Sequence, residues 1–379
     1  MDFSLTEEER LLRDTVRDFA AKELAPMAAH WDRTGEFPRQ NLEKMAQLGL
    51  MGMLFPEEVG GAGTSMLSYV MALEEIAKAC AATAVILAVH TSVGTMPIYL
   101  YGTPQQKSRY LEKLCRGEYL GAFALTEPQA GSDATKIRTR AKDNGDHYLV
   151  SGNKIFITNG GEADIYVTFV VTEPGIGHRG ISCLLVDRDT PGFSIGAAEK
   201  KMGLNGSKTT ELIFDNARVP KENLLGKPGD GFKIAMSLLD GGRIGIGAQG
   251  VGIARGAYEH ALAYALERRQ FDQPIANFQA ILFKLADMAT RIEAGRLLVY
   301  QAADLRDRGK PCSKEASMAK LFATDSAMWV ANQAVQIFGG YGYCRDFPVE
   351  RYFRDAKVTQ IYEGTNQIQR MVIAKIINR

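Results

Sequence analysis

The spacing of apolar residues changes twice along this chain, and that change constrains its fold more than any other feature of the sequence. Apolar residues recur at helical spacing from residue 6 to about 121, alternate with a period of two to about 225, and return to helical spacing from 231 onward. The order of structure is therefore α, then β, then α. We predict an all-α domain over 1–120, a β-domain over 121–225 and an α-helical domain over 226–379.

Both α regions contain amphipathic segments separated by Gly and Pro. Thr6 followed by Glu9 has the pattern of a capping box, and Pro26 is expected to end the helical run that begins there. The most apolar run, 80–89, is about half as long as a bilayer span, so we interpret it as a buried helix. Further helices are predicted over 41–48, 65–79, 105–114, 278–305 and 313–338.

The middle region contains short β-rich runs bounded by turn signals, which is typical of a compact antiparallel β-domain. The runs are 147–150, 154–158, 165–172, 181–186 and 211–214. The turn signals are Asn144-Gly145, Ser151-Gly152, Asn159-Gly160 and Pro191-Gly192.

Composition excludes several classes of protein. Lys and Arg total 45 against 44 Asp and Glu, a net charge of +1, which argues against nucleic acid or an anionic membrane as the main partner. The five Cys and five His form no CxxC or HExxH pattern, so neither a disulfide framework nor a metal site is predicted. The amino terminus carries acidic residues where a secretory or mitochondrial leader would be basic, so we expect no signal or transit peptide and a cytoplasmic, bacterial protein.

Residues 245–250 match the string GxGxxG, which is associated with dinucleotide binding. That fingerprint requires a strand before it and a tight turn into a helix, whereas the residues on both sides have helical spacing. We therefore interpret these glycines as positions where a helix packs closely on a neighbour, and a Rossmann domain is not predicted.

Two segments of the β-domain have the residue types of a ligand site. The turn over 123–133 offers backbone N–H groups and the Thr126 and Ser132 hydroxyls, which suit a heterocycle edge or a phosphate. The run over 154–160 places Phe156 and Thr158 on one face, where an aromatic ring and a hydroxyl could cover a heterocycle. An ordinary turn and ordinary core residues would have the same pattern, so the alternatives stay open at this point.

The carboxy-terminal region contains three further candidates. Arg268 at a helix end could hold a diphosphate, and Gly339 and Gly340 permit close approach of a ligand to the backbone. Glu363 lies between apolar residues and Gly364, so its carboxylate could enter an apolar cavity and act as a base near neutral pH. An exposed helix-end arginine, a glycine cap and a solvated glutamate are the alternatives.

Taken together and in this order, the segments FALTEPQAGSD, KIFITNG, RRQF, QIFGGYG and YEGT resemble those of the acyl-CoA dehydrogenase family over essentially the whole chain. The resemblance implies an α+β multidomain flavoprotein with an amino-terminal helical domain, a middle antiparallel β-domain and a carboxy-terminal four-helix bundle. It also implies a homotetramer, a dimer of dimers, with roles in fatty acid β-oxidation or branched-chain amino acid catabolism.

The family positions imply a set of ligand contacts in this chain. Those implied for FAD are Phe123, Leu125, Thr126, Gly131, Ser132, Phe156, Ile157, Thr158, Arg268, Phe271, Gln279, Gln336, Gly339, Gly340, Thr365 and Gln367. Those implied for the acyl-CoA are Ser132, Asp240, Arg243 and Gly364, where 240–243 resembles a loop-to-helix segment beside the substrate. Arg268, Gln279 and 336–340 would hold the diphosphate and adenosine across a subunit interface.

The resemblance also implies the reaction. Glu363 would remove the α-proton of an acyl thioester while the β-hydride passes to flavin N5, and the Glu363 N–H with a ribityl hydroxyl would stabilise the enolate-like oxygen. The product is a trans-2-enoyl-CoA, and an electron-transfer flavoprotein would reoxidise the flavin. No metal takes part.

Position 242 distinguishes branches of the family. Isovaleryl-type members take their base from a Glu immediately before the arginine, but Gly242 stands there, so Glu363 is the expected base and an isovaleryl-type enzyme is disfavoured. The stretch LDGGRIGIGAQ resembles the short-chain, butyryl-type branch most. Two positions depart from the family pattern: Lys136 stands where the family usually has a small residue, and Asp272 stands where it usually has Gly. An acyl-CoA oxidase or enoyl-CoA reductase of the same fold is the alternative, and a DNA-associated alkylation-response flavoprotein is the alternative of a different class.

Overall fold

The computed structural model describes residues 5–378, and its amino-terminal part is helical as predicted. The first helix is capped at Thr6, whose hydroxyl accepts from the Glu9 N–H at 3.2 Å while the Glu9 carboxylate accepts from the Thr6 N–H at 2.8 Å. The helices are α1 (Glu7–Phe19), α2 (Ala25–Thr34), α3 (Arg39–Gln47), α4 (Met66–Ala79), α5 (Ala81–Val89), α6 (Met96–Tyr101) and α7 (Pro104–Cys115).

The prediction that Pro26 ends the first helical run is wrong. The chain stays helical through a π segment, Ala20–Leu24, in which the Ala25 N–H donates to the Ala20 carbonyl. Pro26 then lies in the first turn of α2, directly after the π segment. The π segment thus lets two helices follow each other without a loop.

A second π segment, His90–Thr95, joins α5 to α6 and connects the helical domain to the sheet. The buried His90 ring contacts the Leu114 carbonyl at 3.1 Å through Nε2 and accepts from the Gly121 N–H at 3.1 Å through Nδ1. Burial lowers the pKa of His90 to about 4, so the ring is neutral at ordinary pH. The stretch Ala81–Tyr101 is apolar and long enough to cross a membrane, but 89% of its most apolar window is buried in the protein, as in a core helix.

The middle region forms a twisted sheet in which most neighbouring strands are antiparallel, as predicted. Its strand order is β6-β7-β3-β2-β4-β5-β8, and β1 pairs with β4. The β1–β4 pairing is parallel, which the sequence pattern did not indicate. The strands are β1 (Gly121–Ala124), β2 (Arg140–Asp143), β3 (His147–Thr158), β4 (Ile165–Val171), β5 (Ile181–Asp187), β6 (Phe193–Ala198), β7 (Thr209–Pro220) and β8 (Leu224–Leu225).

The turn predicted at Ser151-Gly152 is a β-bulge. The runs 147–150 and 154–158 belong to the single strand β3, whose register against β7 shifts between Val150 and Gly152. Gly152 has φ 141°, and a Cβ there would lie 2.7 Å from the Thr139 hydroxyl. Gly152 is therefore needed because the chain at Thr139 packs closely against it, not because the chain turns back there.

The carboxy-terminal region is a bundle in which α8 and α10 pack along each other and α9, α11 and α12 pack against α10. Its elements are α8 (Gly231–Glu267), β9 (Arg269–Gln270), β10 (Gln273–Pro274), α9 (Gln279–Asp307), α10 (Ser313–Phe338), α11 (Val349–Thr359) and α12 (Asn366–Ile377). The three-part α, β, α architecture agrees with the predicted fold class.

Helix α8 settles two sequence predictions. The GxGxxG string lies inside this continuous helix. A Cβ at Gly247 would lie 2.9 Å from Val299 of α9 and one at Gly250 would lie 3.2 Å from the Ala323 backbone of α10, so the close-packing interpretation is confirmed for these two glycines. The expectation that 240–243 forms a loop-to-helix segment is wrong, because these residues lie within α8. The two adjacent glycines do not end the helix, since packing against α4 and α10 supports it on both sides.

Candidate active site

The loop between α11 and α12 carries Glu363 in an unusual backbone conformation. Glu363 has φ 53° and Gly364 has φ 85°, so two consecutive residues are left-handed. Such a conformation costs a non-glycine residue roughly 1–2 kcal/mol. Thr365 then caps α12 by accepting from the Ile368 N–H at 3.2 Å. The turn directs the Glu363 side chain away from α12 and toward α8.

The Glu363 carboxylate lies directly against Gly242. A Cβ added to Gly242 would be 2.7 Å from Glu363 Oε2 and 3.0 Å from Cδ, so the carboxylate would have to shift to make room for it. The carboxylate therefore occupies the place that any side chain at position 242 would need. In this chain the glycine before Arg243 therefore leaves room for the glutamate at 363.

Burial and the nearby positive charges act on the pKa of Glu363 in opposite directions. Burial raises the pKa of the Glu363 carboxyl above its ordinary value, and the positive charges of Arg243 and then Lys320 offset part of the rise. Arg243 is buried and donates to Asp240 at 3.0 Å, so its position is fixed within α8. A carboxylate with a raised pKa is a stronger base than an exposed one.

The backbone and neighbours of the loop are held by side chains that the sequence patterns did not single out. Gln369 donates to the Glu363 and Gly364 carbonyls at 3.2 and 2.8 Å, and Lys320 donates to the Gly364 carbonyl at 2.9 Å. The Tyr362 hydroxyl donates to the Gln249 side chain. Within residues 5–378, the Glu363 N–H has no hydrogen-bond acceptor. The sequence contains one signal for these contacts, because Lys320 lies on a face of α10 that otherwise consists of small residues.

The turn after β1 and the strand β3 are adjacent, as the predicted flavin site requires. The Ile155 N–H donates to the Thr126 carbonyl at 2.9 Å, and Lys154 donates to the Leu125 carbonyl at 3.1 Å. Lys154 also forms an ion pair with Glu127 at 2.7 Å, and both side chains are buried. Glu127 in turn accepts from backbone N–H groups across the turn. The turn is therefore fixed from beneath by β3.

The outer face of this region is open and has a mixed aromatic and hydroxyl character. Phe156 is 59% exposed and has φ 57°, and Thr158 lies on the same side of β3. Ile157 points the other way and is buried in the core of the sheet, so its side chain is not on this face. Gly131 and Ser132 are exposed at the end of the turn, and Phe123 is partly buried with its ring 4.9 Å from that of Phe169. Such a face suits a flat heterocycle with polar edges.

A second cluster forms where α8 and α10 end. Arg268, Gly339 and Gly340 line a cavity of about 440 Å³ together with aromatic side chains, among them Tyr264 and Tyr341. A Cβ at either glycine would meet no atom within 4 Å, so the backbone there is openly accessible. A cationic side chain, bare backbone and aromatic rings fit a diphosphate joined to an adenine.

Four of the remaining predicted FAD contacts lie on exposed positions of the carboxy-terminal region. Gln279 begins α9, Gln336 lies near the end of α10, and Gln367 is exposed on α12. Phe271 is 87% exposed at the tip of the β9–β10 hairpin, where it and Asp272 have φ 50° and 64°. Asp272 thus holds a left-handed position in which Gly would be unstrained. Among residues 5–378 there is no group of three side chains that could hold a metal ion.

Sequence profiles of known families match all three regions of the chain. The acyl-CoA dehydrogenase N-terminal domain matches residues 6–118, the middle domain matches 122–217, and the C-terminal domain matches 229–378. The chain belongs to the acyl-CoA dehydrogenase family. The predicted family, three-domain fold and enzyme class are therefore confirmed.

Curated relatives of this acyl-CoA dehydrogenase agree over their full lengths. An acyl-CoA dehydrogenase of Bacillus subtilis is 59% identical, with 98% of each chain covered. A short-chain specific acyl-CoA dehydrogenase of Clostridium acetobutylicum is 51% identical, with 100% of each covered. An NADH-dependent acryloyl-CoA reductase of Anaerotignum propionicum is 52% identical, covering 99% of this chain and 95% of the relative.

Solved structures are similar to the same extent. Butyryl-CoA dehydrogenase from Megasphaera elsdenii has a TM-score of 0.98 and 47% identity, with 100% of each chain covered. A chain solved in work on the electron transferring flavoprotein of Acidaminococcus fermentans and electron bifurcation has a TM-score of 0.99 and 51% identity, again with 100% of each covered. Acyl-CoA dehydrogenases are FAD flavoproteins, so the predicted cofactor is confirmed, and the two clusters described above have the chemistry to hold it.

Proposed function

We propose that this acyl-CoA dehydrogenase converts a short-chain acyl-CoA, butyryl-like or short branched, to the trans-2-enoyl-CoA with Glu363 as the catalytic base. The observation that carries the proposal is the contact of the Glu363 carboxylate with Gly242. The contact supports Glu363 as the one base beside position 242 of α8. The short-chain and butyryl-CoA dehydrogenases among the relatives support the substrate class.

Glu363 would act on the α-proton of the thioester. Burial raises the pKa of its carboxyl and so makes it a stronger base, and the positive charge of Arg243 offsets part of that rise. The unused N–H of Glu363 can donate to the thioester carbonyl oxygen, where negative charge develops as the proton leaves. FAD, when bound, supplies the acceptor for the β-hydride.

The residues proposed to hold FAD form three sets. Leu125, Thr126, Phe156 and Thr158, with Phe123, Gly131, Ser132 and the Ile157 backbone, would hold the ring system and its edges. Arg268, Gln279, Gln336, Gly339 and Gly340 would hold the diphosphate and adenosine, and Phe271, Thr365 and Gln367 would make further FAD contacts. Ser132, Asp240, Arg243 and Gly364 would border the acyl-CoA.

A homotetramer would complete these sites. Several large apolar side chains are exposed on the carboxy-terminal region, including Phe271 at 87%, Phe283 at 58% and Met371 at 65%. Exposed apolar side chains of this size are typical of surfaces that another chain covers. Phe271 is three residues from Arg268 in the chain, which supports assembly in which one subunit contributes to the FAD site of another. We further propose a bacterial cytoplasmic location.

An electron-transfer flavoprotein is the proposed electron acceptor, which the Acidaminococcus relative supports. The Anaerotignum reductase favours a second candidate, enoyl-CoA reduction by the same site. Measuring reduction of an electron-transfer flavoprotein with butyryl-CoA, oxidation of NADH with an enoyl-CoA, and dioxygen consumption would distinguish dehydrogenase, reductase and oxidase.

The decisive test is anaerobic bleaching of the bound flavin by acyl-CoA thioesters. We expect butyryl-CoA to bleach the wild-type protein faster than octanoyl-CoA. Glu363→Gln should bind FAD and thioester but bleach at least about 10³-fold more slowly, because the base is removed. The exposed Glu58→Gln serves as the matched control and should behave as wild type. Normal bleaching of Glu363→Gln would remove Glu363 as the base, and a preference for octanoyl-CoA would remove the short-chain assignment.

A further inference from the structure

A buried lysine lies directly beneath the loop that carries Glu363. Lys320 projects from α10 on a face shared with small residues such as Ala316 and Ala323, and its side chain is 0% exposed. Its amino group donates to the Gly364 carbonyl at 2.9 Å and to Asn366 Oδ1 at 2.8 Å. Within residues 5–378, no carboxylate accepts a hydrogen bond from it. Burying an amino group with only neutral acceptors costs several kcal/mol, so this arrangement requires an explanation.

The partners of Lys320 belong to a network that ties the whole loop to α10. The Asn366 amide donates to the Thr324 hydroxyl at 2.9 Å and to Asp325 at 2.7 Å. Gln360, at the start of the loop, donates to the same Asp325 carboxylate at 2.7 Å. Both ends of the loop are thus held by one helix face, and Lys320 holds its middle.

We propose that Lys320 is a positioning residue for Glu363: it holds the Gly364 carbonyl and the Asn366 side chain, and so fixes the left-handed turn that presses the Glu363 carboxylate against Gly242. The proposal rests on Glu363 being the base. The left-handed backbone at Glu363 would relax if released, because an extended or right-handed conformation is favoured for a glutamate. A hydrogen bond to the next carbonyl opposes that relaxation.

The charge of Lys320 adds a second effect. The charged groups that face it are Glu363 on the loop, Asp325 on its own helix and Arg243 on α8. Burial lowers the pKa of Lys320 to about 7, so the amino group is protonated below neutral pH and still donates hydrogen bonds when neutral. While protonated, it lowers the pKa of Glu363. Removing it should therefore move the acid limb of the pH profile to higher pH.

The experiment compares FAD-loaded Lys320→Met, Lys320→Gln and Ser326→Ala in butyryl-CoA oxidation. Ser326 is a matched control, since it is a buried polar residue of α10 whose hydroxyl has no partner within the described residues. The measurements are kcat and KM, the pH dependence of kcat/KM, and amide hydrogen exchange of peptides covering 360–368. Exchange reports the loop directly and does not depend on turnover.

We expect Lys320→Met to lose about 10- to 100-fold in kcat, as a misplaced catalytic group does, with KM changed less than about threefold. The acid limb of its kcat/KM profile should move to higher pH, and amide hydrogen exchange in 360–368 should become faster. Lys320→Gln, which keeps a donor but no charge, should recover about threefold or more in kcat and keep the shifted limb. Ser326→Ala should match wild type in all three measurements.

The positioning role would be overturned if Lys320→Met had the kcat, the acid limb of the pH profile and the amide hydrogen exchange of the wild type. If that variant does not fold, Asn366→Ala replaces it: a lower kcat with an unchanged acid limb supports the proposal, and an unchanged kcat overturns it. The Glu363→Gln protein separates the two ideas. If it bleaches normally, Glu363 is not the base and the proposed mechanism fails, whereas an inactive Glu363→Gln beside a wild-type-like Lys320→Met defeats only the role of Lys320.

Discussion

At the scale of single residues, Gly242 and Glu363 form one unit although 120 positions and three helices lie between them. The glutamate can occupy its position only because the glycine has no side chain, and its raised pKa follows from being placed against a buried helix surface. The sequence neighbours of Glu363, an apolar pair and Gly364, predicted a carboxylate that enters an apolar cavity. They could not indicate Lys320 or Gln249, because those contacts come from other helices.

Gly242→Ala should therefore separate activity from stability. The new methyl group would meet the carboxylate at 2.7 Å and displace it, so we expect kcat to fall about tenfold or more. Stability should not fall with it, because Ala favours a helix over Gly by about 0.8–1.0 kcal/mol. The matched control is Gly245→Ala, where the nearest atom to a new Cβ is 3.6 Å away. The measurements are steady-state kinetics and the denaturant midpoint. Equal activity of the two variants would contradict this reading.

At the scale of elements, local patterns predict long helices well and irregular backbone poorly. The predicted 313–338 coincides with α10, and 278–305 differs from α9 by two residues at most. The errors at Pro26 and at Ser151-Gly152 have a common cause. A π segment and a β-bulge accommodate a proline and a glycine through hydrogen bonds and close contacts with other parts of the chain, which the local sequence does not contain.

Strand β3 depends on the buried pair of Lys154 and Glu127. Lys154→Met should cost about 3–5 kcal/mol, because it leaves the Glu127 carboxylate buried and without its cation. The turn that carries Thr126 would also lose its anchor at the Leu125 carbonyl, so FAD should be retained less well. Denaturant unfolding and the flavin-to-protein ratio after dialysis check both effects. The exposed Lys142→Met is the control, and a Lys154 variant equal to it in both measurements would refute the dependence.

At the scale of the whole molecule, buried polar groups join the three regions. His90 links the amino-terminal helices to β1, and Asp355 links the sheet region to α11 by accepting from the Leu204 N–H at 2.6 Å. Sequence periodicity predicted the three regions but not these joints. A single polar residue within an apolar face is an ambiguous signal until its partner is known.

Asp355 should make stability depend on pH. Burial raises its pKa to about 6 from an ordinary 3.8, so the folded state binds the proton more tightly than the unfolded state. The stabilisation is complete below pH 3.8 and is lost as the pH rises through about 6. Asp355→Asn keeps an acceptor but does not titrate. Its free energy of unfolding, relative to that of the wild type, should therefore rise by on the order of 2–3 kcal/mol between pH 4 and pH 7. Unfolding at several pH values, with exposed Asp346→Asn as control, measures this gain. Parallel curves for the variant and wild type would disprove it.

The contact between Gly242 and Glu363 also restricts how such an enzyme can change over generations. A lineage that transfers its base to position 242 must alter two codons, and each order of events passes through a poor enzyme. On the proposed assignment of Glu363 as the base, replacing it first would leave no proton acceptor, and adding a side chain at 242 first would displace the acceptor that is present. The two arrangements are thus separated by a fitness valley, and intermediate sequences should be rare among living descendants.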